Sequence, residues 1–310
     1  MEQTPVLDVQ NLSVSFSQYT GAFQKSELQV IRDLSVTLFG GEMVAVVGAS
    51  GSGKSLLAHA LLGILPYNAS WGGQLLYEGQ PLTQTRMERL RGREIVLVPQ
   101  SVAYLDPLMR VGPQVRGGKA DPATRQKAAQ TLARYGLSPE TEALYPFELS
   151  GGMARRVLIS TAVMQTPRLV IADEPTPGLH IDAAKRVLGH FRELADQGAA
   201  VLLITHDLEL AVEVADRVVV FYGGTTLEEA PAADFASEAT LRHPYTKALW
   251  RAMPQNGFEA IAGTQPYAGA TPTGCLFAHS CPLAGQECGG AIPYRQQGGG
   301  YVRCLREDTP

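Results

Sequence analysis

Met43-Val-Ala-Val-Val47-Gly48-Ala-Ser50-Gly51-Ser52-Gly53-Lys54-Ser55-Leu56-Leu57-Ala-His-Ala-Leu61-Leu62 decides the fold. An apolar run of strand length meets a glycine-rich turn, and a leucine-rich helical stretch follows. In that context G-x-x-x-x-G-K-[ST] reads as a phosphate-binding loop. Gly48, Gly51 and Gly53 let the backbone curl so that successive N–H groups face one point, where the helix start adds partial positive charge. Ser50 and Ser52 lie inside the turn, Lys54 is placed to reach β- and γ-phosphates, and Ser55 offers its hydroxyl to Mg2+. The bland alternative, a ligand-free αβ turn, fits poorly because both flanking elements are those the motif needs. The expected ligand is a nucleoside triphosphate.

The totals agree with an α/β protein of one large or two smaller domains: 310 residues, 45% hydrophobic and 18% charged. A formal net charge of −4 gives no reason to expect a nucleic-acid partner. No apolar run approaches the roughly 18 residues that a membrane span needs; Ala199 to Ile204 is cut off by Thr205-His206-Asp207. Met1 to Pro5 has no basic-then-apolar leader pattern. The expectation is a cytosolic chain, or one held at a membrane only through partners.

Outward from the loop, Val6 to Phe16 and Ile31 to Phe39 alternate as half-buried strands, with Leu34, Val36 and Leu38 on one face. Gln74 to Tyr77 followed by Glu78-Gly79 predicts a hairpin arm. Glu94 to Val98, Arg168 to Ala172 and Ala200 to Ile204 are apolar runs typical of parallel strands, and Arg217 to Tyr222 before Gly223-Gly224 adds another. Asp121-Pro122 predicts a helix start and Gly136 a stop. Past Pro254, glycine, proline and glutamine rise and all four cysteines appear. A boundary is expected there: 1–253 as the nucleotide-binding domain and 254–310 as an extension.

Two further segments narrow the chemistry. Leu169-Val-Ile-Ala-Asp173-Glu174 is an apolar strand ending in two carboxylates; Asp173 suits Mg2+ and Glu174 the polarisation of an attacking water. Some twenty residues upstream, Ser150-Gly151-Gly152 opens a helix, with Ser150 as N-cap and glycines permitting close approach. This is a second anion-seating helix start in one domain. The economical arrangement is two such domains head to tail, each lending its serine–glycine corner to the other's nucleotide.

With these segments the sequence resembles the ATP-binding subunits of ABC transporters over nearly its whole length. Gly48 to Ser55 is similar to their Walker A, Leu169 to Glu174 to Walker B and Leu149 to Met153 to the signature. The resemblance implies a P-loop ABC ATPase domain: a RecA-like core, an antiparallel β subdomain and a helical signature subdomain, plus a small cysteine-containing extension. It further implies that Gln100 contacts Mg2+, that His206 hydrogen-bonds the γ-phosphate, and that an aromatic at Phe16 stacks on adenine, with Tyr19 and Phe23 as alternatives. Leu144 to Ser150, His243-Pro-Tyr-Thr-Lys-Ala-Leu249 and the terminal cysteines are similar to the peptide and nickel importer branch. That branch implies a second ATP-binding subunit, two membrane permease subunits and an extracytoplasmic solute-binding protein, with this chain peripheral on the cytoplasmic face of the bacterial inner membrane. The histidine–proline–tyrosine stretch reads as a helix start and family marker. Met153 stands where glutamine is usual. Pro177-Gly178-Leu179-His180 lacks the usual aspartate, so the composite site receiving Ser150 and His180 is expected to be the slower one.

Cys275, Cys281, Cys288 and Cys304 are spaced C-x5-C-x6-C-x15-C. Disulfides are not expected in a cytosolic chain, and the short C-x2–4-C pairs usual for structural zinc are absent. From residue types alone, an iron–sulfur cluster, Zn2+ and unligated thiols stay open, with His279 as a solvated neighbour. The resemblance to peptide importers implies a [4Fe–4S] cluster. Rival functions are a soluble ABC ATPase acting on DNA or the ribosome, a nucleotide sensor that barely hydrolyses, and, more distantly, a kinase. The long insertions or duplicated modules of the first are absent, Glu174 and His206 argue against the second, and a kinase has no use for Ser-Gly-Gly.

Overall fold

The computed structural model describes residues 3–19, 25–164, 166–261 and 273–306. β1 (Leu7–Tyr19) and β2 (Lys25–Leu38) form an antiparallel pair, and β3 (Met43–Val47) leads into α1 (Lys54–Leu62). β4 (Ala69–Tyr77) pairs with β1 and turns at Glu78-Gly79 into β5 (Gln80–Pro81). Then come α2 (Gln84–Leu90), β6 (Ile95–Val98), α3 (Val111–Val115), α4 (Pro122–Arg134), α5 (Gly151–Val163) and β7 (Leu169–Asp173). α6 (Ile181–Asp196), β8 (Ala200–Thr205), α7 (Leu208–Val214), β9 (Arg217–Tyr222) and β10 (Thr225–Pro231) complete the middle of the chain. The C-terminal part adds α8 (Pro244–Arg251), β11 (Arg295–Gln297) and β12 (Gly300–Val302).

The strands lie in the order β5-β4-β1-β2-β10-β9-β3-β8-β7-β6. From β9 to β6 they run parallel, and β5 to β2 form an antiparallel wing. The parallel strands are buried on both faces, so their sequences are apolar throughout. In β3, Met43, Ala45 and Val47 enter one core while Val44 and Val46 enter the other. The first core packs under α6, the second under α1 and the wing. A third, separate cluster unites Val111, Val115, Leu132, Leu137, Val157 and Leu158 from α3 to α5. The sequence-predicted parallel sheet, antiparallel wing and helical layer are therefore all present.

Local signals act as expected where they are chemical. Asp121 caps α4 by accepting from Thr124 N at 2.9 Å, Pro122 opens it, and Gly136 follows with φ 65°. Polarity hid the outer ends of β1 and β2: Ser15 to Tyr19 pairs with Gln29 to Lys25 although no apolar stripe runs there. Backbone ladder bonds, not side-chain burial, extend that hairpin.

Past residue 273 the chain returns to the sheet. β12 pairs antiparallel with β10, and Leu276 and Phe277 enter the first core. Arg303 locks this return by donating to Asp33 Oδ2 at 2.6 Å, Thr226 O at 3.1 Å and Ile292 O at 3.2 Å.

Candidate functional site

Register assembles the site. Val47 of β3 lies opposite Thr205 of β8, Ile204 of β8 opposite Asp173 of β7, and Ala172 opposite Val98 of β6. The C-terminal ends of four adjacent parallel strands thus place the phosphate turn, His206, Asp173-Glu174 and Gln100 in one row. Ligands of open α/β sheets bind at this edge.

The turn is closely fitted. A Cβ on Gly48 would stand 2.2 Å from the Phe221 carbonyl oxygen, and Gly53 adopts φ 94° beside Val30. Both positions demand glycine, the first by contact and the second by conformation. Lys54 Nζ donates to Gly48 O at 2.8 Å and Ala49 O at 2.9 Å and lies 3.9 Å from Glu174 Oε1. Burial lowers its pKa, while Glu174 and Asp173 pull it back up. Ser52 Oγ is buried with no hydrogen-bond partner among the described residues, an unsatisfied donor beside the phosphate turn.

Ser55 donates to Asp173 Oδ1 at 3.0 Å. Burial raises the Asp173 pKa, partly offset by that hydroxyl. A hydroxyl and a buried carboxylate meeting beside a phosphate turn are the hard oxygen donors that suit Mg2+. Glu174 holds φ 45°, a strained value for this residue type, and its Oε2 lies 2.8 Å from His206 Nδ1. Gln100 is exposed just past β6. Phe16 is partly buried against the second core, Tyr19 is 71% exposed, and Phe23 lies outside the described residues.

Ser150, Gly151 and Gly152 start α5 in the helical layer, on the third core. Ser150 Oγ accepts from Met153 N at 3.3 Å, as an N-cap should. A Cβ on Gly151 would meet nothing within 4 Å, and one on Gly152 only Leu179 at 4.0 Å. Nothing among the described residues therefore requires glycine at these positions, although each costs about 1 kcal/mol of helix propensity. A cavity of about 520 Å3 lies beside this corner rather than over the phosphate turn, bordered by Gly152, Arg156, Leu179, Arg186 and His190. His180 occupies the N-cap position of α6 without a side-chain capping bond, and its side chain is exposed.

Two features escaped the sequence reading. Arg155 is buried, and its guanidinium donates to Pro99 O at 3.2 Å and Glu174 O at 3.4 Å, tying α5 to the turns that carry Gln100 and Glu174. Its neighbour Arg156 looks identical in sequence but bonds Gly152, Tyr135 and Gly136 carbonyls. After Gln100, Val102, Tyr104, Leu108 and Met109 form an exposed apolar series, and Phe147 is exposed as well. Their spacing is aperiodic around Pro107, so no amphipathic pattern signals them.

The cysteines occupy a different place. Cys275, Cys281, Cys288 and Cys304 line one small cavity with His243 and Arg306. Burial raises the Cys275 and Cys281 thiol pKa values, and the other sulfurs push in the same direction. Among the described residues, no three His, Cys, Asp or Glu side chains are grouped to hold a metal ion. The expected cysteine ligands share one cavity, and among the described residues no grouping of them suits a single metal ion. His243, expected as a helix start, caps α8 through Nδ1, which accepts from Tyr245 N at 3.0 Å. Burial depresses its pKa to about 3, so the ring is neutral.

Comparison with known proteins fits this geometry. Residues 31–177 match the model of the ABC transporter family, and residues 227–288 match the oligopeptide/dipeptide transporter C-terminal region. The second match spans the His243 stretch and Cys275, Cys281 and Cys288. The dipeptide transport ATP-binding protein DppD of Bacillus subtilis is 36% identical, over 93% of this chain and 90% of its own length. The oligopeptide transport ATP-binding protein OppD of Salmonella typhimurium is 33% identical, over 96% of this chain and 92% of its own. A dimeric bacterial ABC transporter cassette, MJ0796, has the same fold: TM-score 0.64 at 22% identity, covering 73% of this chain and 98% of that one. Among the described residues, no helix is long and apolar enough to cross a membrane.

Proposed function

This chain belongs to the family of ABC transporter ATP-binding proteins and is an ATPase of that kind, and from that premise we propose that it energises peptide import. In this reading it sits on the cytoplasmic face of the bacterial inner membrane, beneath two permease subunits fed by an extracytoplasmic solute-binding protein. A second ATP-binding subunit faces it, making a heterodimer. Residues 1–253 are the nucleotide-binding domain and 254–310 its extension. The exposed apolar series Val102, Tyr104, Leu108 and Met109 beside Gln100 supports a permease contact. Di- and oligopeptides are favoured as cargo, because the relatives named above are peptide transport proteins and the C-terminal match carries the same description. The nickel and metal-chelate alternative draws no support from these relatives.

One observation carries the mechanism: two anion-seating helix starts in separate layers, the second with a glycine face left open among the described residues. The phosphate turn of one subunit and the Ser150-Gly151-Gly152 corner of the other clamp each ATP. Glu174 takes the proton of the attacking water, held in orientation by His206, which also donates to the γ-phosphate. Ser55, Asp173 and Gln100 would hold Mg2+, which would supply charge neutralisation on the phosphates. Phe16 stacks on adenine. ATP favours the closed pair and ADP does not, so transport is driven by differential binding.

The four-thiol cavity holds a [4Fe–4S] cluster in this reading. A single Zn2+ at about 2.3 Å from each sulfur would need the thiols drawn to one point, which the described residues do not show. That all four cysteines line one cavity supports a guest ligated by every one of them. A cluster held there by Cys275, Cys281, Cys288 and Cys304 would staple a tail too small to make its own core.

The test is reconstitution of this chain with its permease, partner ATPase and binding protein in vesicles. ATP-dependent accumulation of a labelled peptide is expected. Turnover that is indifferent to the membrane subunits, with no peptide uptake, would instead point to the soluble, non-transport alternative.

A further inference from the structure

His243 is 1% exposed and does more than cap a helix. Its Nδ1 accepts the Tyr245 backbone N–H at 3.0 Å. A neutral imidazole carries one ring proton, so accepting at Nδ1 places that proton on Nε2. Nε2 stands 4.0 Å from Cys275 Sγ. The ring's orientation is set by the Nδ1 bond to Tyr245 and by Phe277, 6.2 Å away between ring centres, while the His243 backbone N–H donates to Glu228 Oε2 at 2.7 Å. With its proton on Nε2, the ring has no lone pair there to offer a metal.

We propose that His243 is a positioning residue of the cysteine cavity, donating Nε2–H to the Cys275 sulfur and not serving as a fifth ligand. The inference rests on the reading that the cavity holds an iron–sulfur cluster. A hydrogen bond to a ligating sulfur draws charge from it and raises the reduction potential of the centre. Through Glu228, which also accepts from Arg242 N at 2.9 Å, the same histidine links the cavity to β10 of the central sheet.

Two substitutions separate capping from donation. His243→Asn keeps an acceptor near the Nδ1 position and removes the donor. His243→Gln reaches the Nε2 position with an amide N–H and forfeits the cap. The full chain and both variants are purified without oxygen, then compared in iron and sulfide content, midpoint potential and urea midpoint. Equal iron in all three, a lower potential in His243→Asn, and recovery towards the parent value in His243→Gln are expected. The urea midpoint should follow the cap and fall most in His243→Gln. Equal potentials in parent and His243→Asn overturn the proposal. So does loss of iron from both variants while the parent retains it, since that is the behaviour of a ligand.

If the parent chain itself holds no iron, the cluster reading fails, and the hydrogen bond is then judged in the iron-free protein. Alkylation of Cys275 by iodoacetamide at mildly alkaline pH, relative to Cys288, should slow in His243→Asn and recover in His243→Gln. Unchanged relative rates overturn the donor assignment there too.

Discussion

The phosphate corner and the cysteine cavity both gather groups that hold a charged guest, yet they are built in opposite ways. At the corner, one βα turn supplies the backbone donors, and sheet register brings His206, Asp173 and Glu174 alongside it. At the cavity, four side chains spread from residue 275 to 304 meet a histidine at 243, and they meet only because β12 has docked on β10. The first is local chemistry multiplied by strand order. The second depends on long-range closure, with Arg303 reaching Asp33 across most of the chain. A local motif survives in sequence; a closure leaves only a spacing.

The largest expected effect strikes the corner alone. Glu174→Gln removes the carboxylate proposed to take the proton from water while keeping the shape of the site. Turnover of the assembled complex should fall by about 10²- to 10⁴-fold. ATP affinity, measured by equilibrium binding, should persist. Largely unchanged turnover would remove Glu174 from its assigned role.

Glu228→Ala probes the other region. This carboxylate is fully buried and accepts from Arg242 N, His243 N and the Arg242 guanidinium, the last at 3.3 Å. Removing one side of a buried, hydrogen-bonded charge pair costs about 3–5 kcal/mol. Urea unfolding should show that loss, with residues 273–306 exchanging amide hydrogens first. If the phosphate corner loosens equally early, the two regions are one cooperative unit and the contrast drawn here breaks.

Acid sharpens the same contrast. Burial holds the folded pKa of His243 at about 3, below its unfolded value of about 6.5. The unfolded chain therefore takes up the proton first, and stability present above pH ~6.5 drains as pH falls toward the folded value. The slope is about 1.4 kcal/mol per pH unit within that window. His243→Asn should lose this slope between pH 7 and 5, read from urea midpoints on the iron-free chain. An identical pH dependence in both proteins would show that the ring is not held neutral.

The legibility of the sequence follows this division. Gly48, Gly53, Lys54 and Ser55 are dictated by one turn, and the structure places them there because no other residue fits beside Phe221 or at φ 94°. Asp173 and Glu174 were readable as the end of a buried strand. Arg155 was not readable: its function comes from reaching Pro99 and Glu174 across two elements, whereas adjacent Arg156 serves its own layer. The His243 stretch was legible as a helix start, because capping needs only neighbours in sequence. Its approach to Cys275 depends on a tail that returns 32 residues later.

The smallest effect concerns the corner that faces outward. His180 occupies the turn before α6 with an 80% exposed side chain, 3.8 Å from Asp182 Oδ2, and so is free to meet a partner's phosphate turn. An aspartate there could accept several hydrogen bonds from that turn's backbone with a full negative charge; an imidazole offers at most one acceptor nitrogen and no anionic charge. His180→Asp should therefore raise turnover of the complex by up to about twofold, the ceiling when one of two composite sites is slow. The change should appear in kcat with little change in KM, because the substitution acts on a bound nucleotide already clamped by both subunits. A fall in turnover would mean that the histidine is itself adapted to the partner site, and that the two composite sites differ by design of the partner and not through a missing carboxylate.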